Sequence, residues 1–445
     1  MAENAPFLPG LSPVGGKPVH VTFDGGRLTS DAGVLALAEV ERRLGLAGRI
    51  ARCLTDPRSP ERVRHTLAEM IRFRTLLIAA GYPDADDCDP LRADPAFKMA
   101  VGRLPEGGED LCSQPTMSRL ENLPGATALK RMMAAMVELF RDSFEQVPRR
   151  IVLDIDDTED RVHGHQQLSL FHAHYDSRCF LPIHVYEATT GKPVAVILRP
   201  GKTPDGTEVM LVLRHVIRRI RARWPKVDIL VRGDSHYGRP EAMSRCERNR
   251  VGYVLGLAGN KVLLAAVAGI AEAAALDRME GEAEKARHYG EFAYAAKTWG
   301  TERRVVARVE ASARGTDSRF IVTNLRGTPR WLYEAVYCAR GQAENLTKAH
   351  KLHLASDRTS CTKATANQFR LVLHTAAYWL LHTLRSSAPK TSFRRDAQFD
   401  TIRLAFIKVA ARVTELATRI KVALPSSYPY RDSLALLASR AARPP

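Results

Sequence analysis

The chain has 445 residues, of which 45% are hydrophobic, and its 66 Lys and Arg outnumber 49 Asp and Glu to give a formal net charge of +17. That length predicts two or three domains rather than one, and the basic balance favours a polyanionic partner such as nucleic acid. No apolar run reaches the roughly 18 residues of a membrane span, and the opening residues lack the pattern of an export signal, which predicts a cytoplasmic address. The seven cysteines never form a CxxC pair, which argues against a zinc knuckle or a disulfide framework.

Residues 1–19, rich in Pro and Gly, read as a flexible arm ending in a short strand at Val19 to Phe23. From Ser30, a candidate N-cap, Val34, Leu35, Leu37, Ala38, Val40, Leu44 and Leu46 recur at helical spacing. A second helix over 60–80 has Val63, Leu67, Met70, Ile71 and Leu76 on one face, with Arg62, Arg64, Arg72 and Arg74 on the others. The Pro-containing GYPDADDCDP breaks it. Shorter helices follow near 95–103 and in SQPTMSRLEN, then a long one near 126–145. Residues 20–148 therefore read as a mainly helical domain that either binds DNA or supports the rest of the chain.

After VPRR, the apolar and β-branched runs IVLDID, CFLPIHVYEA and PVAVILRPG predict three consecutive antiparallel strands. An amphipathic helix at 207–224 then carries Arg214, Arg218, Arg219, Arg221 and Arg223 around an apolar face that ends at Trp224. VDILVRGD is a strand, 239–248 a helix, GYVLGL a strand and 260–276 a helix. Three strands, helix, strand, helix, strand is the ribonuclease-H-like order of an α/β core. FAYAAKTW, RRVVARVEA and RFIVTNL predict a β-rich stretch, a helix follows over 329–353, and the tail reads as two further helices, NQFRLVLHTAAYWLLHTLR and TIRLAFIKVAARVTELATRIKVAL. The predicted divisions are a core in two parts, 149–278 and 328–384, interrupted by a β-rich insertion at 279–327 and followed by a helical region at 385–445.

Strand periodicity puts Asp154 and Asp156 on one face of IVLDID, and buried carboxylates need a partner. Asp234 follows the apolar strand LVRG, at the end where a parallel sheet presents its ligands. Strand-end carboxylates suit Mg²⁺, which prefers oxygen ligands and binds alongside substrate phosphates. In the helix over 329–353, Tyr337, Arg340, Glu344 and Lys351 stand at intervals of three, four and seven and so gather on one helical face. His163, His165, His172, His174 and His184 crowd one segment; phosphate or solvent contact is favoured there over a transition-metal site. Trp224 and Trp331 read as core aromatics.

Together these residues resemble the bacterial insertion-sequence transposases of the DDE class, in the group with a Tyr-Arg-Glu-Lys signature. Y-x2-R-x3-E-x6-K is met by Tyr337, Arg340, Glu344 and Lys351, Asp-x-Thr by Asp156 to Thr158, and the second acidic motif by Asp234. The resemblance spans about 20–425 and includes the insertion between the second and third acids. It implies a metal-binding triad of Asp156, Asp234 and Glu344, with Asp154 as the alternative to Asp156, and two Mg²⁺ or Mn²⁺ ions. It also implies cleavage and strand transfer at the inverted ends of an element, target DNA as partner, and a homodimer that pairs two ends. Tyr337, Arg340 and Lys351 would contact DNA, as would Arg218, Arg219 and Arg221 through the basic helix. A metal-dependent nuclease on the same core and a catalytically silent DNA-binding descendant are the other readings.

Overall fold

The computed structural model describes residues 11–281, 283–389 and 392–441. The chain forms two compact units, one from the described parts of 1–51, 56–120 and 380–445, the other from 52–55 and 121–379. The start of the expected arm lies outside the described residues. Val19 to Phe23 forms no strand; the short strand is Leu28–Thr29.

In the first unit, helices Val34–Leu44, Leu67–Ala80 and Pro95–Val101 carry the predicted apolar faces. Ser30 caps none of them. Thr66 and Glu69 close a reciprocal capping box on the second helix, and the Asp94 carboxylate accepts from the amides of Ala96 and Phe97 on the third. Two arginines expected on the outer faces serve the fold instead. Arg74 is fully buried and donates to the carbonyls of Pro83 and Asp84, and Arg72 pairs with Glu41 at 2.5 Å.

The tail departs from the helical expectation. After Phe399–Ile402 and a π turn at Arg403–Ile407, residues Ala411–Glu415 and Ile420–Ala423 form an antiparallel hairpin, and Leu28–Thr29 adds to its edge. The β-branched Val413, Thr414, Ile420 and Val422 suit a pleated surface, and pairing with a segment almost 400 residues away in sequence overrides the local helical periodicity.

The second unit is built on an eight-stranded mixed sheet: β1 (Arg150–Asp157), β2 (Ile183–Glu187), β3 (Lys192–Ile197), β4 (Asp228–Gly233), β5 (Gly252–Leu257), β6 (Ala286–Tyr294), β7 (Arg303–Ser312) and β8 (Gly315–Thr323). Their order is β6-β7-β8-β5-β4-β1-β2-β3. Strands β1, β4 and β5 run parallel, whereas β2, β3 and β8 pair antiparallel with their neighbours. Parallel neighbours need long crossovers, supplied by helices Gly206–Arg223 and Pro240–Arg248. The 286–323 strands extend the same sheet. CFLPIHVYEA, read as one strand, breaks into Ser177–Phe180 and β2, because Pro182 cannot donate to a ladder.

Residues 329–353 are helical but irregular. An α turn, Pro329–Trp331, passes into π helix at Leu332–Tyr337, 3₁₀ helix at Cys338–Gly341, α helix at Gln342–Lys348 and π helix again at Ala349–His353. Leu332, Tyr333 and Val336 seal a core against Val254, Val306 and Ile321 of β5, β7 and β8. Trp224 is buried among Phe140 and Phe144, as expected, but Trp331 is 49% exposed and is no core aromatic.

Candidate active site

The register of β1 and β4 separates the two candidate aspartates by partner. Asp154 stands beside Arg232 on the neighbouring parallel strand, and the guanidinium grips it with Nε–Oδ1 at 2.6 Å and NH2–Oδ2 at 2.8 Å. Both side chains are buried, and NH1 of Arg232 also donates to the Val336 carbonyl at 2.9 Å. Asp154 is thus committed to an ion pair that fastens the 329–353 helix to the sheet.

Two residues on, Asp156 is still within β1, and Asp234 directly follows the end of β4, one step beyond the last parallel pair, Ile155 with Gly233, so that the two carboxylates feel each other's charge. Asp156 accepts a hydrogen bond from NH1 of Arg340 at 3.1 Å, with both side chains about one-sixth exposed. Burial pushes the Asp156 carboxyl up to about 7; Arg340 opposes this, and the charges of Asp234 and Asp157 add to it. Burial likewise raises Asp234. Two desolvated, mutually repelling carboxylates are a cation-seeking arrangement.

The loop after β4 is shaped by close approach. A Cβ on Gly238 would stand 2.4 Å from the carbonyl oxygen of Gly256, and a Cβ on Gly256 would stand 2.7 Å from the Ser235 amide nitrogen and 2.8 Å from the Tyr337 hydroxyl. In the turn this permits, the Asp234 carboxylate accepts from the His236 amide at 2.9 Å. His236 Nδ1 and the Tyr237 hydroxyl both meet Asp157 Oδ2 at 3.0 Å, and that contact raises the imidazole's pKa. Sequence reasoning missed this latch. Its signal, a His-Tyr pair directly after the second acid, was present in GDSHYG.

The helix that carries the signature is not uniform α, because π and 3₁₀ turns change the rotation per residue along it. Tyr337 packs at the edge of the core with the Arg340 guanidinium 5.8 Å from its ring centre. Lys351 donates from Nζ to the Glu159 carbonyl. Glu344 is exposed, coupled electrostatically to Arg340, and makes no hydrogen bond to either aspartate. Among the described residues, no three His, Cys, Asp or Glu side chains converge to hold a metal ion. Asp156 and Asp234 nevertheless fit a hard divalent cation: their donors are all oxygen, and burial has removed the water that would otherwise stabilise them.

Of the basic helix, Arg218 is exposed, Arg219 pairs with Glu138 at 3.2 Å, and Arg221 donates to the carbonyls of Asn249 and Arg250. The histidines do not form one cluster. His184 is buried against Tyr186 and His350, while His163, His165 and His174 lie exposed.

A family profile described as "Transposase DDE domain group 1" matches residues 11–444. A search of curated proteins returns no match. Among solved structures, the chain is similar to a piggyBac transposase, determined by cryo-EM as a synaptic complex with hairpin DNA, at 9% identity and a TM-score of 0.42, covering 86% of this chain and 81% of that one. No helix among the described residues is long and apolar enough to cross a membrane.

Proposed function

The chain belongs to the transposase DDE domain group 1 family, and on that premise we propose that it binds the inverted ends of its own element and catalyses metal-dependent strand cleavage and strand transfer. The observation that carries the reading is the placement of Asp156, near the end of β1, close to Asp234, directly after the adjacent parallel strand β4, with Arg340 on Asp156. The order β3-β2-β1-β4-β5, antiparallel on one side of β1 and parallel on the other, supports a ribonuclease-H-like core. We assign 149–278 and 328–384 to that core, 279–327 to an insertion, and 20–148 and 385–445 to regions that support it or bind DNA.

Asp156 and Asp234 would hold Mg²⁺ or Mn²⁺, joined by Glu344 once DNA is bound. Two such ions, once bound, would supply activation of water or a 3′-hydroxyl and stabilisation of the leaving oxygen in an in-line displacement. The chain's own groups do the positioning. Arg340, already at the carboxylates, offers a planar fork to a phosphate, and Lys351 offers a point charge one element away. Asp157, held by His236 and Tyr237, keeps the Asp234 loop closed on the strand ends. Tyr337 supports DNA beside the cleaved end, and Arg218 is the member of the basic helix best placed for phosphate. Pairing two ends calls for a homodimer, acting on DNA in the cytoplasm.

The test is incubation of purified protein with Mg²⁺ and a donor DNA carrying the element's ends, beside Asp234→Ala and Glu344→Ala. The reading expects strand cleavage by the wild type alone. Cleavage that persists in both variants overturns the triad, and DNA binding without cleavage in either metal favours a silent binder.

A further inference from the structure

Between β1 and β2 the chain leaves the main sheet and folds a small apron of its own. Asp160–Arg161, Ser177–Phe180 and Leu170–His172 form a three-stranded antiparallel sheet with the second segment in the middle. The apron is fixed at its base. Arg178 donates from Nε to the Ser169 hydroxyl and from NH2 to the Ser169 carbonyl, each at 2.7 Å, and the Gln167 amide donates to the Thr362 carbonyl at 2.9 Å.

Its outer part is unusual for a surface loop. Phe171 is 61% exposed, and Leu168 and Leu170 are exposed beside it. Leu168 has φ of 71° and Asp176 of 47°, so two of the four non-glycine residues with positive φ among those described lie in this one segment. A leucine in the left-handed region is unfavourable and persists only where its surroundings impose it, a pattern common at ligand-handling segments. Next to Phe171, the rings of His172, His174 and Tyr175 pack on one another, with Tyr175 4.9 Å from His174 and 5.0 Å from His172 between centroids. The apron adjoins the acids through the chain itself, since its first strand starts at Asp160, three residues after Asp157 at the end of β1, and the hydroxyl of Ser177 in its middle strand donates to the Glu159 carboxylate.

Over 160–180, exposed rings, two arginines and four histidines stand against two acids, the buried Asp160 and Asp176, which makes a surface with ring faces to offer and little to repel a polyanion. A base inside a duplex has no free face, whereas an unpaired base stacks on aromatic and imidazole rings with little regard to sequence. We propose that the apron is a stacking platform for an unpaired nucleobase flanking the phosphate held at Asp156 and Asp234, with Phe171 and the His172–His174–Tyr175 group as its surface. The inference rests on the transposase reading of that site. A second copy of this chain is the competing occupant of the exposed apolar residues.

The test uses the full chain in EDTA, so that no strand is cut, and two fluorescent probes: a blunt 20-base-pair duplex and the same duplex with a four-nucleotide 3′ tail containing 2-aminopurine. The wild type is expected to bind the tailed probe at least fivefold more tightly and to quench the 2-aminopurine. Phe171→Ser combined with His174→Ala is expected to abolish both effects, leaving blunt-duplex affinity within twofold and the thermal midpoint unchanged. Equal binding of the two probes by the wild type overturns the platform, as does a tail preference that survives the double substitution. A halved sedimentation mass in the variant with tail binding intact overturns it in favour of the copy-to-copy contact. Cleavage with Mg²⁺ is scored separately: a tail preference without cleavage sinks the transposase reading and leaves the platform standing, and cleavage without a tail preference does the reverse.

Discussion

Arg340 reaches Asp156 across 184 residues of sequence, NH1 to Oδ2 at 3.1 Å, and places a fixed positive charge against one of two crowded carboxylates. The contact ties the signature helix to the end of β1. Arg340→Ala is expected to lower strand cleavage by about a hundredfold, of the order seen when one charge-stabilising donor is lost. Arg340→Lys should recover part of the loss, because a lysine keeps the charge but not the planar fork. Full activity in the alanine variant, measured as initial cleavage rate, would remove Arg340 from the site.

Asp234→Asn should abolish cleavage and stabilise the protein. The burial of Asp234, and to a lesser degree the charge of Asp157, penalise its ionised form, so neutralising it relieves a cost of about 1 kcal/mol. The check is a melting midpoint raised by a few degrees in EDTA. A lowered midpoint would mean that the carboxylate serves the fold.

The Asp154–Arg232 pair makes the opposite prediction. Arg232→Met strands a buried charge and should cost about 3–5 kcal/mol, whereas Asp154→Leu with Arg232→Met should recover most of it. Denaturant midpoints of the two singles and the double give the coupling. An additive double would contradict the pair's structural role.

Gly256→Ala tests the close approach at the site. The added Cβ meets backbone at Ser235 and Asp234 and the hydroxyl of Tyr337, all within 3.0 Å. Cleavage should fall at least tenfold for a stability loss of about 1–3 kcal/mol, because the displaced groups belong to the site. Wild-type rates in this variant would show that the loop tolerates the shift.

Burial pushes His184 down to about 4 and holds His350 well below its ordinary value. For a histidine whose folded pKa is depressed, the unfolded chain binds more protons below 6.5, so stability is full above that pH and is lost as pH falls toward 4. For His184 the loss is about 3 kcal/mol. The wild type should therefore unfold more readily between pH 6.5 and 4, and His184→Phe, which keeps a ring stacked on Tyr186, should flatten that slope. An unchanged slope in the variant would place the acid lability elsewhere.

Much of the fold was legible in sequence, as were the two aspartates that the candidate site brings close together, and the limits have physical causes. The runs IVLDID and VDILVRGD are strands as their composition predicts, which brings Asp156 and Asp234 to the same end of the sheet. Local patterns carry no strand register, so nothing in IVLDID tells that Asp154 meets Arg232 while Asp156 escapes it. The helical spacing of Tyr337, Arg340, Glu344 and Lys351 assumes uniform α turns, and the π and 3₁₀ segments of this helix depart from that assumption. Arg74 and Arg221 read as surface charges because their partners are backbone carbonyls, which no residue pattern advertises. The hairpin at 411–423 was hidden behind a helical periodicity that pairing with Leu28–Thr29 overrides.

Divalent metal held by Asp156 and Asp234 at the strand ends is the premise on which the proposed chemistry stands. It is tested most directly by replacing Mg²⁺ with Fe²⁺ in the full chain, with and without DNA, adding ascorbate, and mapping where the backbone is cut by locally generated radicals. Cuts are expected beside 156 and 234, reinforced beside 344 when DNA is present, and lost in Asp156→Asn. Cuts confined to other segments, or unchanged in Asp156→Asn, would contradict a metal site at these carboxylates.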